Sequence, residues 1–252
     1  MFSQFLTLLI RQMNILQLLG LSKFLKYRTM KKGGRLTLEL NDHQFLFRPR
    51  SPDLSVLMAY KSGELNVLKH LLPENYNGII IDAGGYIGTS AIALHDLFKK
   101  ATVKVLEPSK ANLDVLNANT NDIDNIEVIP GALVGSDQQI VKLFDRGQGE
   151  WGFTITKTEA QNPDALIVND AKAYRISDLV NDVGEIGILK LDIEGGELDI
   201  LNNDIDTLNV IPIIIAELHD DISPGTKEKF FQFSQNRILI KDNEEKYLSI
   251  KH

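Results

Sequence analysis

Cysteine is absent from this chain of 252 residues, which excludes several kinds of chemistry at once. Without it the protein cannot form disulfides, use a thiol nucleophile or build a thiolate zinc site. The absence is compatible with an intracellular protein, and we expect a cytoplasmic location.

Acidic residues outnumber basic ones: the chain has 34 Asp and Glu but only 27 Lys and Arg, which gives a net charge of −7. A surface that neutralises phosphates needs an excess of Lys and Arg, so we expect no nucleic-acid partner. The apolar content of 43% is enough for one sizeable domain, and we predict one domain with an N-terminal extension.

Residues 1–32 lack both the leading positive charge of a signal peptide and an apolar run long enough to span a membrane. Their apolar residues instead recur at helical spacing: Phe2, Phe5, Leu6, Leu9, Met13, Leu16 and Phe24. This predicts an amphipathic helix, or two helices broken near Gly20. The apolar face either packs on its own domain or, with the basic residues nearby, contacts a membrane surface or another copy of the chain.

Residues 33–77 form a lead-in, with a predicted β-hairpin around Asn41 and Asp42 and a helix from Ser55 to Leu72. Residues 78–252 alternate buried strands with helical segments, which predicts an α/β domain. Its strands are "GIIID", "TVKVLE", "NIEVI", "IGILKLDI" and "IPIIIAEL". Near-continuous apolar strands of this kind indicate a parallel sheet with helices on both faces. The C-terminal segment predicts a closing hairpin around Asp242 and Asn243.

A cofactor site is predicted where the first of these strands ends at Asp82 and Gly84, Gly85 and Gly88 form the turn before a helix. Glycines allow close backbone approach, and the helix N-terminus offers free N–H groups. Glu107 follows Gly88 by 19 residues, close to the spacing at which a carboxylate binds a ribose diol. The alternative is a structural turn with Glu107 capping a helix.

Tyr86 stands at the third position of the turn, where a dinucleotide fingerprint has glycine. This departure favours S-adenosylmethionine, which has a ribose but no pyrophosphate, over a dinucleotide.

A second site is predicted from "LKLDIEGGELDIL", in which Lys190, Asp192 and Glu194 are spaced by two and would share one face of a strand. Glu217 and His219 repeat this spacing at the end of the next strand, so the four polar groups at the strand ends, Asp192, Glu194, Glu217 and His219, are expected beside the cofactor cleft. Taken singly, Lys190 could simply pair with Asp192, and Glu197 could cap its helix. The small pair Gly195 and Gly196 would let an acceptor approach.

Several motifs over residues 48–219 resemble the FkbM family of S-adenosylmethionine-dependent methyltransferases. They are "RPRSPDLSVL", "IIIDAGGYIGTSAIAL", "VKVLEPS", "YRISDLV", "ILKLDIEGGELDIL" and "IIIAELH". The sequence departs from the family at Gly85 and Tyr86, where Ala-Asn is common, and at Gly196, where Ala is usual. The resemblance implies a class I methyltransferase (Rossmann-like) fold with S-adenosylmethionine as the cofactor. The cofactor-binding candidates are Asp82, Gly84, Gly85, Tyr86, Gly88, Glu107, Pro108 and Ala132.

The main hypothesis is an O-methyltransferase acting on a hydroxyl of a sugar, a glycan or a related metabolite. The catalytic candidates are Lys190, Asp192, Glu194 and His219, with Asp192, Glu194 or His219 taking the proton. Oxygen ligands from Asp192, Glu194 and Glu217 would suit a divalent metal, but the spacing does not require one, and the metal-free route is favoured.

Two other classes remain open: a nicotinamide-dependent oxidoreductase on a related fold, and a non-catalytic scaffold. The segment 145–165, with Trp151 as a flat apolar surface, is the predicted acceptor loop; an ordinary exposed loop is the alternative.

Overall fold

The computed structural model describes residues 2–31, 33–156, 166–242 and 245–252. The helices in these ranges are α1 (Phe2–Thr29), α2 (Asp53–Ser62), α3 (Thr89–Leu97), α4 (Lys110–Thr120), α5 (Glu197–Asn203), α6 (Ile205–Val210) and α7 (Thr226–Phe233). The strands are β1 (Leu36–Leu40), β2 (His43–Phe47), β3 (Ile79–Ala83), β4 (Thr102–Glu107), β5 (Ile126–Pro130), β6 (Ala132–Leu133), β7 (Ile140–Asp145), β8 (Phe153–Thr154), β9 (Leu166–Tyr174), β10 (Ile186–Leu191), β11 (Ile213–Glu217), β12 (Arg237–Lys241) and β13 (Lys246–Lys251).

The main sheet has seven strands in the order β12-β13-β11-β10-β3-β4-β5. From β11 to β5 all neighbours are parallel, as predicted, whereas β13 runs antiparallel to both of its neighbours. The sheet is therefore mixed rather than purely parallel, because the predicted C-terminal hairpin joins it through β13. Asn243, predicted in the turn of that hairpin, lies outside the described residues.

The two faces of the main sheet carry separate apolar clusters. On one face Ile81 and Leu189 pack with α5, α6 and α7, and on the other Ile80 and Ile188 pack with α3 and α4. All six residues of β10 are buried. Side chains alternate between faces along a strand, so a strand covered on both sides is apolar at nearly every position, and in β10 the buried Lys190 is the exception. This explains the continuous apolar runs of the sequence.

The lead-in segment contains the predicted hairpin and helix, but the helix is shorter than predicted. β1 and β2 pair antiparallel around Asn41 and Asp42. The helix predicted from Ser55 to Leu72 ends at Ser62, because Gly63 adopts a left-handed conformation with φ of 75° and terminates α2. A short 3-10 turn, Asn66–Leu68, follows it. The lead-in contacts α3 and α4 through a third apolar cluster.

The N-terminal helix α1 is broken at Gly20, where φ is 68° and ψ is 165°, as the sequence predicted. Ile15 and Leu19 are buried against the β1–β2 hairpin, so part of this helix packs on its own domain. Other apolar side chains are exposed: Leu6, Ile10, Met13, Leu16, Leu21 and Leu25. The side chains of Phe2, Phe5 and Leu9 lie outside the described residues. A membrane-surface or homo-oligomer contact through the exposed face stays a prediction.

None of the helices in the described ranges combines the length and the apolar character needed to cross a membrane.

An additional small sheet is formed by strands between β5 and β10 in the chain, and the sequence analysis predicted none of these strands. Its strand order is β6-β9-β7-β8, and β8 lies inside the segment predicted as the acceptor loop. Residues 157–165 of that segment are outside the described ranges. The strands β7 and β9 escaped prediction because their exposed apolar residues, such as Ile140, Leu166 and Ile167, do not follow the regular burial pattern of a core strand.

Candidate active site

A cavity of about 490 Å³ opens at the carboxyl ends of β3, β4, β10 and β11. Its wall includes the turn after β3, the end of β4, the loop after β10, and residues of α2 and of segment 145–156. Open α/β sheets bind ligands at this edge, and the volume is within the range of small-molecule sites. Both predicted sites therefore face one space.

The predicted cofactor residues divide into two groups. Those that line the cavity are Gly84, Gly85, Tyr86, Glu107, Pro108 and Ala132. Asp82 and Gly88 do not line it: Asp82 is fully buried and accepts a hydrogen bond from Ser90 Oγ at 2.6 Å, and Gly88 precedes α3 with φ of 89°. Their direct contact with a cofactor stays a prediction that this geometry does not favour.

Gly84 has a structural reason to be glycine. Its φ is 86°, and a Cβ atom at this position would lie 1.8 Å from the carbonyl oxygen of Asp192. Only a residue without a side chain allows this approach. The cofactor turn and the loop after β10 therefore touch each other, which brings the two predicted sites into direct contact.

Glu107 is held at the cavity wall by three donors. Its Oε1 accepts hydrogen bonds from Ser109 N at 2.8 Å and Asn112 Nδ2 at 3.2 Å, and its Oε2 accepts one from Tyr86 N at 2.9 Å. Burial raises the pKa of Glu107 to about 7, although these donors oppose the shift. Two carboxylate oxygens offer about four acceptor sites, so capacity remains for a ligand hydroxyl.

Tyr86 connects the cofactor turn to the lead-in segment. Its hydroxyl donates to Asp53 Oδ1 at 2.5 Å, and Arg48 binds both oxygens of the fully buried Asp53 at 2.9 Å. Arg48 also donates to Asn112 Oδ1 at 3.0 Å. The sequence analysis missed Arg48 and Asp53 as site residues, although both lie in the "RPRSPD" segment that carried part of the family resemblance.

The loop after β10 corrects one sequence-based expectation. β10 ends at Leu191, so Asp192 and Glu194 do not lie on the strand, and Glu194 has a positive φ of 51°. Strand alternation therefore does not place Glu194; a tight turn before α5 does. Both carboxylates still line the cavity, as predicted.

Lys190 links the two predicted sites. Its Nζ lies 3.1 Å from Asp82 Oδ1, 3.5 Å from Asp192 Oδ2 and 3.4 Å from the Gly84 carbonyl oxygen. Burial alone would lower the pKa of Lys190, but the charges of Asp82 and Asp192 outweigh it and raise the pKa. Lys190 is thus a paired cation that positions Asp192 and the glycine turn, rather than a proton acceptor.

His219 follows β11 and faces three carboxylates, although it does not itself line the cavity. Its Nδ1 lies 3.0 Å from Glu197 Oε1, and its Nε2 lies 3.7 Å from Glu194 Oε1 and 4.0 Å from Asp192 Oδ1. Burial would lower the pKa of His219, but its hydrogen bond to Glu197 and the three negative charges raise it to about 10.

Glu194 is protonated more readily than an ordinary glutamate. Burial raises the pKa of Glu194 to about 7, against the opposing influence of His219 and Arg146. Arg146 Nη2 binds Glu194 Oε2 at 2.6 Å, and Thr154 Oγ1 donates to the Glu194 carbonyl oxygen at 2.5 Å. The segment predicted as the acceptor loop is therefore attached to the loop after β10. Arg146 was not predicted as a site residue.

Glu217 lines the cavity at the end of β11 and is accompanied by Lys246 of β13, which lies opposite it in the sheet. Lys246 Nζ lies 3.7 Å from Glu217 Oε2 and also contacts Glu64. Burial and the neighbouring Asp192 raise the pKa of Glu217. Neither Lys246 nor Glu64 was predicted, because the two residues are far apart in the sequence and only the fold brings them together.

The residues that follow Glu194 serve packing rather than access. Gly195 has φ of 95°, and a Cβ atom there would lie 2.5 Å from Ile222 Cγ2, while neither Gly195 nor Gly196 lines the cavity. The expectation that this pair admits the acceptor stays a prediction that this geometry does not favour. Glu197 does not cap α5 either: its carboxylate accepts from Ile193 N at 3.1 Å and Gly195 N at 3.0 Å and so holds the preceding turn.

Comparison with known protein families shows to which family the chain belongs. A family profile described as "Methyltransferase FkbM domain" matches residues 82–242, well over half of the chain. The chain belongs to the FkbM methyltransferase family. The match covers the glycine turn, Glu107 and the loop after β10, so the family expected from the sequence motifs is confirmed.

Individual relatives are distant. "Methyltransferase 1" of Beauveria bassiana (strain ARSEF 2860) is 22% identical over 202 residues, which cover 73% of this chain and 81% of that protein. Methyltransferase FkbM from Methylobacillus flagellatus KT is 18% identical, with a TM-score of 0.45, over 71% of this chain and 45% of that one. This chain thus spans less than half of that solved protein. Aeropyrum pernix fibrillarin with bound S-adenosyl-L-methionine is 13% identical, with a TM-score of 0.42, over 88% of this chain and 84% of that one.

As a member of the FkbM family, the protein is an S-adenosylmethionine-dependent methyltransferase with the class I methyltransferase fold. Family membership decides against the nicotinamide-dependent alternative. The residues at the cavity also suit the cofactor chemically, since a glycine turn lets a ligand approach the backbone closely and an acid at the end of the next strand can bind a ribose diol.

Proposed function

We propose that this protein is an O-methyltransferase that modifies a hydroxyl group of a sugar, a glycan or a related metabolite. The observation that carries the proposal is the contact between the glycine turn and the loop of Asp192 and Glu194. Proton acceptors therefore line the same cavity as the cofactor residues, as oxygen methylation requires. When bound, S-adenosylmethionine supplies a methyl group on a positively charged sulfur, and transfer of this methyl to oxygen leaves a neutral thioether.

Cofactor binding is assigned to the residues around the glycine turn. Glu107 would accept hydrogen bonds from the ribose hydroxyls, and Gly84, Gly85 and Tyr86 would form the wall beside it. Tyr86 contributes indirectly as well, because its backbone N–H orients Glu107 while its hydroxyl binds Asp53. The turn is thus fixed before any ligand binds, which reduces the entropy that binding must offset.

Asp192 and Glu194 have the roles of orienting the acceptor hydroxyl and accepting its proton as its oxygen forms the new bond to carbon. Both carboxylates line the cavity, whereas His219 lies behind them. Lys190 holds Asp192 through Oδ2, and Arg146 holds Glu194 through Oε2. Carboxylates fixed in this way can align the hydroxyl, and alignment and proton removal are the two contributions that the protein must make.

The acceptor is assigned to the part of the cavity near Trp151. This side chain is 46% exposed and lines the cavity, so it offers a flat apolar surface next to polar groups. A sugar ring presents hydroxyls at its edge and a less polar face, which fits such a combination. The segment of Trp151 is attached to Glu194 through Arg146, which would place the ring close to the carboxylates.

The proposal is tested with cell extracts, isotopically labelled S-adenosylmethionine and mass spectrometry. Labelled methyl should appear on oxygen in a hydroxyl-bearing product when the wild-type protein is added. Glu194→Gln should bind the cofactor within a few-fold of wild type but lose turnover by about 100-fold, the scale of general-base effects. Label on nitrogen or carbon would contradict oxygen methylation. Cofactor binding without transfer to any extract component would favour the scaffold alternative.

A further inference from the structure

Three side-chain atoms converge on one point beside the cavity: Asp192 Oδ1, Glu194 Oε1 and His219 Nε2. All three lie within 4.8 Å of one another, with His219 Nε2 at 3.7 Å from Glu194 Oε1 and 4.0 Å from Asp192 Oδ1. Such separations are too long for hydrogen bonds. They match the spacing of ligand atoms around a common ion, because metal–ligand bonds are about 2.0–2.2 Å long.

On each of the three side chains, the second oxygen or nitrogen atom already contacts a neighbouring residue. Lys190 lies 3.5 Å from Asp192 Oδ2, Arg146 lies 2.6 Å from Glu194 Oε2, and Glu197 Oε1 lies 3.0 Å from His219 Nδ1. These contacts orient each side chain so that its remaining oxygen or nitrogen faces the shared point. A carboxylate on the far nitrogen of a histidine is the usual outer support of a metal-binding histidine.

His219 provides a second observation that points to a ligand. Its side chain is only 9% exposed, and its Nε2 makes no hydrogen bond within the part of the chain that the structure describes. Its Nε2 faces one oxygen of Glu194 and one of Asp192 at distances longer than a hydrogen bond, and an ion bound to all three atoms would fill the space between them.

The surrounding charge favours a cation. The ion pairs of the described residues at the site form two groups. Lys190, Arg146 and His219 pair with Asp82, Asp192, Glu194 and Glu197, whereas Lys246 pairs with Glu64 and Glu217. Lys190, Arg146 and Lys246 are the lysine and arginine side chains in these pairs. Buried carboxylates are costly unless they are paired or bind metal, so a cation at the shared point would lower the free energy of the site.

We propose that Asp192, Glu194 and His219 bind a divalent cation through these three atoms. Two carboxylates and one imidazole suit a first-row ion such as Mn²⁺, and the remaining coordination positions would face the cavity. The ligand set differs from the Asp192, Glu194 and Glu217 set weighed from the sequence, because Lys246 accompanies Glu217 instead. The role of the cation rests on the proposed function: it would bind the acceptor hydroxyl oxygen and increase the acidity of its proton.

The test measures Mn²⁺ binding directly, by titration calorimetry and by electron paramagnetic resonance, without an acceptor. The wild-type protein should bind one ion per chain with a dissociation constant below about 1 mM. Asp192→Asn, Glu194→Gln and His219→Asn should each weaken binding by about tenfold or more, and Glu197→Gln by a similar factor through the orientation of His219. Asp96→Asn is the matched control, since Asp96 forms another carboxylate–histidine pair with His43 on the same cavity.

Absence of Mn²⁺ binding to the wild-type protein up to about 1 mM would overturn the proposal, and so would variants that bind as well as wild type. Asp192→Asn keeps the test decisive if His219→Asn fails to fold, because Asp192 is one-third exposed and tolerates substitution better. S-Adenosylmethionine binding is measured on the same samples. Intact cofactor binding without Mn²⁺ binding refutes the metal site alone, whereas methyl transfer to nitrogen would refute the proposed function alone.

Discussion

Glu107 provides the sharpest test of the cofactor site, through the substitution Glu107→Gln. The amide keeps the volume of the side chain but replaces one acceptor oxygen by a donor, which would face an N–H group of Tyr86 or Ser109. A charge-assisted hydrogen bond contributes about 1.5–3 kcal/mol. We therefore expect the affinity for S-adenosylmethionine to fall by about 10- to 100-fold, because each 1.4 kcal/mol corresponds to a factor of ten.

The pH dependence adds a signature that a purely structural glutamate would lack. Burial raises the pKa of Glu107 to about 7, so the carboxyl is about one-tenth ionised at pH 6 and nine-tenths ionised at pH 8. If the ionised form binds the ribose diol, wild-type affinity should rise by up to about tenfold over this range. Glu107→Gln should not show this component, and subtracting its profile removes the titration of the cofactor itself.

Stability should change with pH in the opposite direction. A carboxyl whose pKa is higher in the folded protein than in the unfolded chain binds more protons when folded, so the free energy of unfolding falls as pH rises. The window for Glu107 runs from its ordinary pKa of 4.5 to about 7. Without cofactor, the wild-type protein should lose stability across this window, and Glu107→Gln should lose less.

The assay is titration calorimetry with S-adenosylmethionine at several pH values, with thermal unfolding to confirm that each variant is folded. Glu127→Gln is the control, because Glu127 lies on the neighbouring strand β5 and is exposed beside Lys104. A folded Glu107→Gln protein with wild-type affinity and an unchanged pH profile would remove Glu107 from the cofactor site.

Three further predictions concern other parts of the molecule. Asp192→Asn should lower turnover by about 100-fold while cofactor affinity stays within a few-fold; full turnover would exclude Asp192 from the chemistry. Tyr86→Phe removes the donor to buried Asp53 and should lower the free energy of unfolding by about 1–3 kcal/mol in urea titrations; no change would contradict this link. Ile15→Ala should cost about 2–5 kcal/mol, whereas the exposed Ile10→Ser should stay within about 0.5 kcal/mol; equal effects would refute the packing of α1.

The order of strands and helices followed from local patterns. A predominantly apolar strand such as β3 or β10 needs burial on both faces, and Gly84 and Gly88, both with positive φ, form the turn between β3 and α3. Because parallel strands present their carboxyl ends at one edge, Glu107 and the Lys190–Glu197 block could be placed beside one cleft without coordinates.

Details within turns could not be predicted in this way. Alternation along β10 suggested that Asp192 and Glu194 share a face, but the strand ends at Leu191 and Glu194 enters a left-handed conformation. Of the two glycines after it, Gly195 packs against Ile222 and Gly196 against Ile193. Periodicity describes regular elements, and it carries no information about the side-chain directions in the loop that follows.

The sequence by itself determined the α/β class, the family and the cavity residues at the ends of β3, β4, β10 and β11, because these depend on local spacing and on strand ends. Only the tertiary structure decided their partners. Arg146 and Glu194 are 48 residues apart, and Lys246 and Glu64 are 182 apart. No local pattern connects residues at such distances; the sheet and its insertion bring them together. The Arg146 contact in turn occupies Oε2 of Glu194 and leaves Oε1 facing His219.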